Sequence, residues 1–195
     1  MTTMEIKMQA FNNDPQLKAN LLAEVEKHRL ADQIIAGTYG ATNDDGKWQG
    51  CAVGCSIRSF NNLHGTDHYT RTHANFEPLF QIHQILAKLE DRIFEGLPNE
   101  LKAAWPGKFF GAIPTGADLS TVWPKFAVWL LVDAEHGVIR HATSAKSKAA
   151  IERVAELYRT NGTKEQFKKA RDASDAASDA ASDAASAAAD AATAS

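Results

Sequence analysis

Apolar side chains recur every three or four positions along much of this chain, and this spacing constrains its fold more than any other feature. The pattern is clearest in residues 15–36 and 76–94, where it would place the apolar side chains on one face of a helix. Asp14 followed by proline is a typical helix start, and Gly37 is the expected stop of that helix. The pattern predicts an all-α fold, a single compact domain of six to eight helices.

Shorter segments continue the helical pattern and complete the predicted element order. Residues 126–132 are apolar on nearly all sides, which predicts a central buried helix, with a strand as the alternative. Thr163 and Gln166 have the spacing of a capping box, which opens the last helix. The other predicted helices are residues 51–59, 98–104 and 143–159, with a loop or hairpin tip at 39–47 and an ordered loop at 61–75. A further helix ends at about residue 134, and it begins after a cap at Asp118 or Ser120 or, because of Pro124, nearer Val122.

The chain ends in a segment of only alanine, serine, aspartate and threonine, from Asp172 to Ser195. We therefore expect a globular helical domain over residues 1–165 and a tail over residues 166–195. Alanine favours an α-helical extension, and the alternatives are a fraying or disordered tail and an alanine-faced helix that pairs two protomers. A homo-oligomer formed through the tail is one expectation.

Composition excludes several classes of protein. The formal net charge is −3, and because the tail holds five acids and no base, residues 1–171 carry only +2. This charge is too small for a nucleic-acid-binding face, and no apolar run approaches the roughly 18 residues that span a membrane. Two cysteines are not a disulfide framework, so we expect a cytoplasmic protein that binds neither nucleic acid nor membrane.

The residues best suited to chemistry lie in one stretch. Both cysteines, Cys51 and Cys55, are set among small residues, and three of the seven histidines follow within 18 residues of Cys55. Small residues permit close approach of a neighbouring backbone or of a ligand. Buried thiols are also common packing residues, so one interpretation is a tight helix crossing beside a solvated histidine loop.

A nucleophilic site is the first chemical hypothesis. Cys51, at the start of a predicted helix, would be acidified by the helix N-terminus and activated by His68 or His64. Asp67 or Glu77 would orient that imidazole. The candidate pocket residues around the thiol are Tyr39, Trp48, Gly50, Gly54 and Glu95.

A structural zinc site is the second chemical hypothesis. Cys51, Cys55, His64 and His68 read C-x3-C-x8-H-x3-H and offer four ligands of the types that tetrahedral zinc prefers. Zinc is the one cofactor that this pattern indicates, and the chain otherwise indicates none.

Carboxylates on the predicted helix over residues 76–94 are weaker candidates. Glu90 and Asp91 lie there beside Arg92, and Glu95 follows directly after the predicted range. They fit either a carboxylate pair for metal or acid–base work or a solvated face with local ion pairs.

Six short motifs together resemble an uncharacterised family of bacterial and phage-associated proteins, over residues from about 30 to 135. They are Gly37-Thr-Tyr-Gly40, Gly-Cys-Ala-Val-Gly at 50–54, Asp67-His68, the run from Leu89 to Pro98 with Phe-Glu-Gly-Leu-Pro, Trp105-Pro106, and the run from Ala112 to Leu119. The resemblance implies a shared fold and a pocket formed by Cys51, His68 and the turn at 94–98, and it favours that pair over the four-ligand zinc set. It implies no activity.

With no strong catalytic motif, the sequence predicts an accessory protein, linked to phage or mobile elements, that binds a protein partner or a small ligand. The alternatives are a cysteine-dependent enzyme using Cys51 with His68 and a zinc-stabilised binding module.

Overall fold

The computed structural model describes residues 8–173 and 175, and these residues confirm the predicted all-α fold. The described residues divide into two compact units, one that ends at Ser120 and one that begins at Thr121. The boundary predicted at residues 165 and 166 stays a prediction, and most of the predicted tail lies outside the described residues. Within the described residues, no helix is both long and apolar enough to cross a membrane.

The first unit contains six α-helices and one small hairpin in its described part. The helices are α1 (Pro15–Leu30), α2 (Ala52–His64), α3 (Phe76–Phe80), α4 (Gln84–Gly96), α5 (Asn99–Lys102) and α6 (Trp105–Ala112). Strands β1 (Ala41–Thr42) and β2 (Trp48–Gln49) pair antiparallel, which confirms the predicted hairpin tip. Short 3-10 helices at Ala10–Asn13 and His73–Asn75 precede α1 and α3.

Four phenylalanine rings form the centre of the first unit. Phe11, Phe76, Phe80 and Phe110 are fully buried, and the Phe110 ring centroid lies 5.5 to 6.0 Å from the other three. Aromatic rings at such separations add to the free energy gained by burying apolar surface. This cluster ties α3 and α6 to the segment that leads into α1.

Helix α1 ends six residues before the predicted Ala36. Asp14 caps its start through a hydrogen bond from the Gln16 amide, as predicted. At the other end Asp32 has a φ of 55°, and the Ile35 amide then donates to the Gly50 carbonyl at 2.9 Å. The apolar residues after Leu30 therefore belong to a parallel bridge between Ile34 and Gly50, which overrides the helical pattern.

The single helix predicted over residues 76–94 is two helices. Gln81 has a φ of 53° and ends α3, and the Glu77 carboxylate accepts a hydrogen bond from the Gln84 amide at the start of α4. The break allows Ile82 to be buried completely. The packing of this side chain therefore favours two helices over one continuous helix.

The second unit contains α7 (Val122–Val132), a 3-10 helix (Val138–His141) and α8 (Ala145–Arg159), and residues 164–173 are also helical. Thr163 and Gln166 form the predicted capping box, with each backbone amide donating to the other side chain. Tyr158 of α8 packs between Trp123 of α7 and Phe167, at ring distances of 6.3 and 4.7 Å. Only Ala127 of α7 is buried, so the prediction of a central buried helix is wrong.

Candidate functional site

Cys51 is the N-cap residue of α2 and is 1% exposed. Its amide donates to the Thr38 carbonyl at 2.6 Å, and its thiol sulfur accepts from the Gly54 amide at 3.5 Å. Burial raises the pKa of the thiol to about 12, outweighing the Gly54 amide, and the nearby Asp91 carboxylate raises it further. The lowering of the thiol pKa expected from the helix N-terminus is therefore not found. The raised pKa disfavours the thiolate, which is the nucleophilic form of cysteine.

Asp91 of α4 is the centre of a polar cluster beside Cys51. One of its oxygens, Oδ2, lies 3.1 Å from His73 Nε2 and accepts from the Tyr39 hydroxyl at 3.4 Å. The rings of Tyr39 and His73 are perpendicular, with centroids 5.6 Å apart. Asp91 therefore links Cys51 to the imidazole of His73. The sequence patterns pointed to His68 and His64 and not to His73.

Glu90 is the most unusual group near this cluster. It is 1% exposed, and neither carboxylate oxygen has a hydrogen-bond partner among the described residues. Burial raises the pKa of this carboxyl well above its usual range, and the neighbouring Asp91 raises it further. Burial therefore favours the protonated form of Glu90, and this side chain belongs to the core, not to the solvated face or the carboxylate pair expected from the sequence.

His68 lies beside the last residues of α2, whereas Cys51 lies at the start of this helix. Its backbone is held by buried Asn61, whose side chain donates to the His68 carbonyl and accepts from the His68 amide, both at 2.9 Å. The His68 ring lies 5.8 Å from the ring of Phe60, and Asp67 is exposed in the loop. Among the described residues no hydrogen bond joins His68 to Cys51 or to Asp67, and the triad of these three residues stays a prediction.

The four predicted zinc ligands also do not converge. Cys55 donates its thiol to the Gly50 carbonyl at 3.3 Å, and His64 lies against Phe60 with ring centroids 4.2 Å apart. Across the described residues, no three His, Cys, Asp or Glu side chains are placed to hold a metal ion.

The predicted pocket residues hold three segments together. A Cβ atom added to Gly54 would lie 1.8 Å from the Tyr39 carbonyl oxygen, which confirms the predicted close backbone approach. Glu95 accepts from the Gly37 amide at 3.1 Å and so attaches the same loop to α4. A Cβ atom added to Gly50 would lie 2.8 Å from the Trp48 ring.

Trp48 packs between two basic side chains. Its ring lies 5.6 Å from the His28 ring and 5.7 Å from the guanidinium carbon of Arg58. Burial lowers the pKa of His28, so its ring is neutral near pH 7. Trp48 thus joins the hairpin to α1 and α2.

The first unit has a cavity of about 270 Å³ that the sequence analysis did not identify. It lies among α1, the end of α2 and the segment before α1. Leu17, Phe60 and Leu63 form its apolar part. Its polar part consists of Asn12, Asp14, Gln16, Asn20 and His64.

The polar side chains of this cavity are only partly paired. Gln16 Nε2 donates to Asn20 Oδ1 at 2.7 Å, and Asn12 Nδ2 donates to the Leu79 carbonyl at 3.4 Å. This leaves the Asn20 amide nitrogen and the amide oxygens of Gln16 and Asn12 without a partner among the described residues. The cavity therefore offers both hydrogen-bond donors and acceptors to a ligand.

Strained backbone borders the cavity. Phe11, Asn12 and Asn13 have φ values of 59°, 55° and 54°, the left-handed region that bulky residues rarely adopt. The left-handed conformation costs roughly 1–2 kcal/mol for a residue such as Phe11. Its aromatic ring is fully buried in the core of the first unit, and this packing holds the strained turn in place.

The chain has no significant match among protein-family models, curated proteins or solved structures.

Proposed function

We propose that this chain is an accessory binding protein whose first unit holds a small, neutral, hydroxyl-bearing molecule in the cavity beside α1. The strained turn at residues 11–13, which includes the lining residue Asn12, is the observation that carries the proposal. Backbone strain of this kind concentrates at ligand clamps and active sites.

The lining chemistry supports this ligand class. Carboxamide side chains both donate and accept hydrogen bonds, as hydroxyl groups do, and three of them line the cavity. Neither lysine nor arginine is among the lining residues, and Asp14 adds a carboxylate, so an anionic ligand is disfavoured. Phe60 and two leucines supply an apolar wall for the carbon skeleton of the ligand.

The alternative of a cysteine-dependent enzyme is less well supported. The Cys51 thiol is buried, and a pKa of about 12 leaves almost none of it as thiolate near pH 7. The nearest histidine–carboxylate pair, His73 with Asp91, approaches the thiol through the carboxylate, which raises the thiol pKa. A group that activates the thiol would have to lower the thiol pKa.

The resemblance to phage-associated proteins adds to this proposal an accessory role linked to phage or mobile elements. A cytoplasmic location and a protein partner are part of the same proposal.

Ligand-observed NMR tests the proposal, with glycerol, glucose and myo-inositol as probes. We expect saturation transfer from the protein to at least one probe at millimolar concentration. The signal should be lost in Asn20→Leu, which removes amide groups from the cavity wall. Asn99→Leu is the matched control because Asn99 is exposed on α5 and does not line the cavity. No transfer to any of the three probes, or transfer that Asn20→Leu leaves unchanged, would refute the proposal.

A further inference from the structure

Helix α7 of the second unit presents an exposed stripe of mostly apolar side chains. Val122, Trp129 and Leu130 are 40%, 43% and 39% exposed, and Lys125 is exposed among them. Residues 122, 125 and 129 follow each other at intervals of three and four, so they share one helix face, and Leu130 lies at the border of that face. Large apolar side chains gathered on one exposed face are typical of an interaction surface.

The stripe carries opposite charges at its two ends. Lys125 lies in the first turn of α7, and Asp133 is its C-cap residue, with exposed Glu135 just beyond. Lys125 and Asp133 are each four residues from Trp129. An antiparallel copy of the helix, centred on Trp129, would therefore place each Lys125 opposite the carboxylates of its partner.

Trp129 is held in place for such a contact. Its ring lies 5.7 Å from the Phe126 ring and 5.6 Å from the His136 ring. A side chain that is already ordered loses less conformational entropy when it is buried at an interface. Tryptophan is also among the residues most enriched at the centres of interfaces.

From the stripe and its charges we propose that α7 is the interface of a homodimer, in which two copies pack antiparallel about a two-fold axis at Trp129. A two-fold axis makes the same surface serve both copies, so each Lys125–carboxylate contact occurs twice. A parallel arrangement would instead set Lys125 against Lys125 and is disfavoured by repulsion. The proposal concerns the second unit and is independent of the ligand proposed for the first.

Sedimentation velocity of the full chain from about 1 to 200 μM tests the interface. We expect a concentration-dependent dimer that Trp129→Lys converts to monomer throughout this range. Leu101→Lys is the matched control, because Leu101 is 45% exposed on α5 of the first unit and should leave the dimer unchanged. Circular dichroism spectra of both variants would confirm that they fold.

A charge exchange tests the antiparallel register. Lys125→Glu should raise the dissociation constant by about tenfold, since two attractive contacts become repulsive. Adding Asp133→Asn and Glu135→Lys to that variant should restore most of the affinity. Asp133→Asn keeps a side-chain oxygen for the capping hydrogen bonds that Asp133 accepts from the amides of Glu135 and His136.

Crosslinking gives a second measurement at the proposed axis. Trp129→Cys should form an intermolecular disulfide on mild oxidation, and the buried native cysteines should not. A monomer over the whole concentration range, or a dimer that Trp129→Lys leaves intact, would overturn the proposal. A dimer lost in Trp129→Lys but unaffected by Lys125→Glu and not crosslinked through position 129 would overturn the antiparallel arrangement.

Discussion

Glu90→Gln should remove a pH dependence that Glu90 imposes on the stability of the first unit. In the folded protein burial raises the pKa of this carboxyl well above its usual range, whereas in the unfolded chain the carboxyl titrates at its ordinary pKa of about 4.5. Above that pH the unfolded chain releases a proton that the native state retains. The free energy of unfolding therefore falls as pH rises, until the pH reaches the raised pKa of the native state.

The size of this effect follows from proton linkage. One proton retained by the native state and lost by the unfolded state corresponds to about 1.4 kcal/mol per pH unit. Over two pH units that lie between the unfolded and the native pKa, such as pH 5.5 to 7.5 for a native pKa above that interval, the loss is about 3 kcal/mol, a large fraction of the roughly 5–15 kcal/mol that typically stabilises a folded domain. Glutamine has nearly the same shape as glutamate and carries no charge. Over the same pH interval the free energy of unfolding of Glu90→Gln should therefore rise by that amount relative to that of the wild type.

Urea denaturation of both proteins at pH 5.5, 6.5 and 7.5, at constant ionic strength, measures the difference. Glu100→Gln is the control because Glu100 is exposed on α5, and its curve should run parallel to that of the wild type. Parallel curves for Glu90→Gln and the wild type would refute the reasoning, because Glu90 would then be ionised in the native state at these pH values.

Three further predictions rest on local geometry. Gly54→Ala should lower the free energy of unfolding by more than 2 kcal/mol in urea denaturation, because its Cβ would overlap the Tyr39 carbonyl; a near-neutral variant would mean that the loop moves freely. Gln81→Gly should raise the free energy of unfolding measured by calorimetry by about 1 kcal/mol, since glycine adopts the φ of 53° without strain. A lower free energy of unfolding would show that the contacts of the Gln81 side chain stabilise the protein by more than the backbone strain destabilises it. Iodoacetamide should label Cys51 at least about 100-fold more slowly in the native protein than in urea, read by mass spectrometry, because labelling then requires opening of the structure; comparable rates would contradict its burial.

Sequence patterns predicted the helix ends where the signals are local. Asp14 before proline and the capping box of Thr163 and Gln166 each form the predicted hydrogen bonds. Such caps depend on side chains within four residues of one another, so the sequence contains all the necessary information.

Two of the helix boundaries that differ from the prediction have tertiary causes. Helix α1 ends early because residues 33–35 pair with Gly50, and residues 76–96 are interrupted because a left-handed Gln81 allows Ile82 to be buried. Neither residue type signals a break by itself. Only the position of a distant segment makes the break favourable.

The candidate site shows the same limit, with one exception. Glu90 lies four residues after Leu86 and four before Phe94, both of which are buried on α4. Its place in this apolar stripe was a local signal for a buried carboxyl. His73 and His68 are equivalent in the sequence, and only the fold decides that His73 contacts Asp91.

The small residues around Cys51 explain why a stretch so rich in reactive residue types is a packing element. Because Gly54 has no side chain, the Tyr39 carbonyl can lie directly against α2. That contact brings the loop at residues 37–40 over the start of the helix, where the Cys51 amide donates to the Thr38 carbonyl and the thiol is enclosed. The enclosure raises the thiol pKa, whereas an open helix N-terminus would have lowered it. The small residues that make the sequence look like a nucleophile site therefore enclose the Cys51 thiol between this loop and α2.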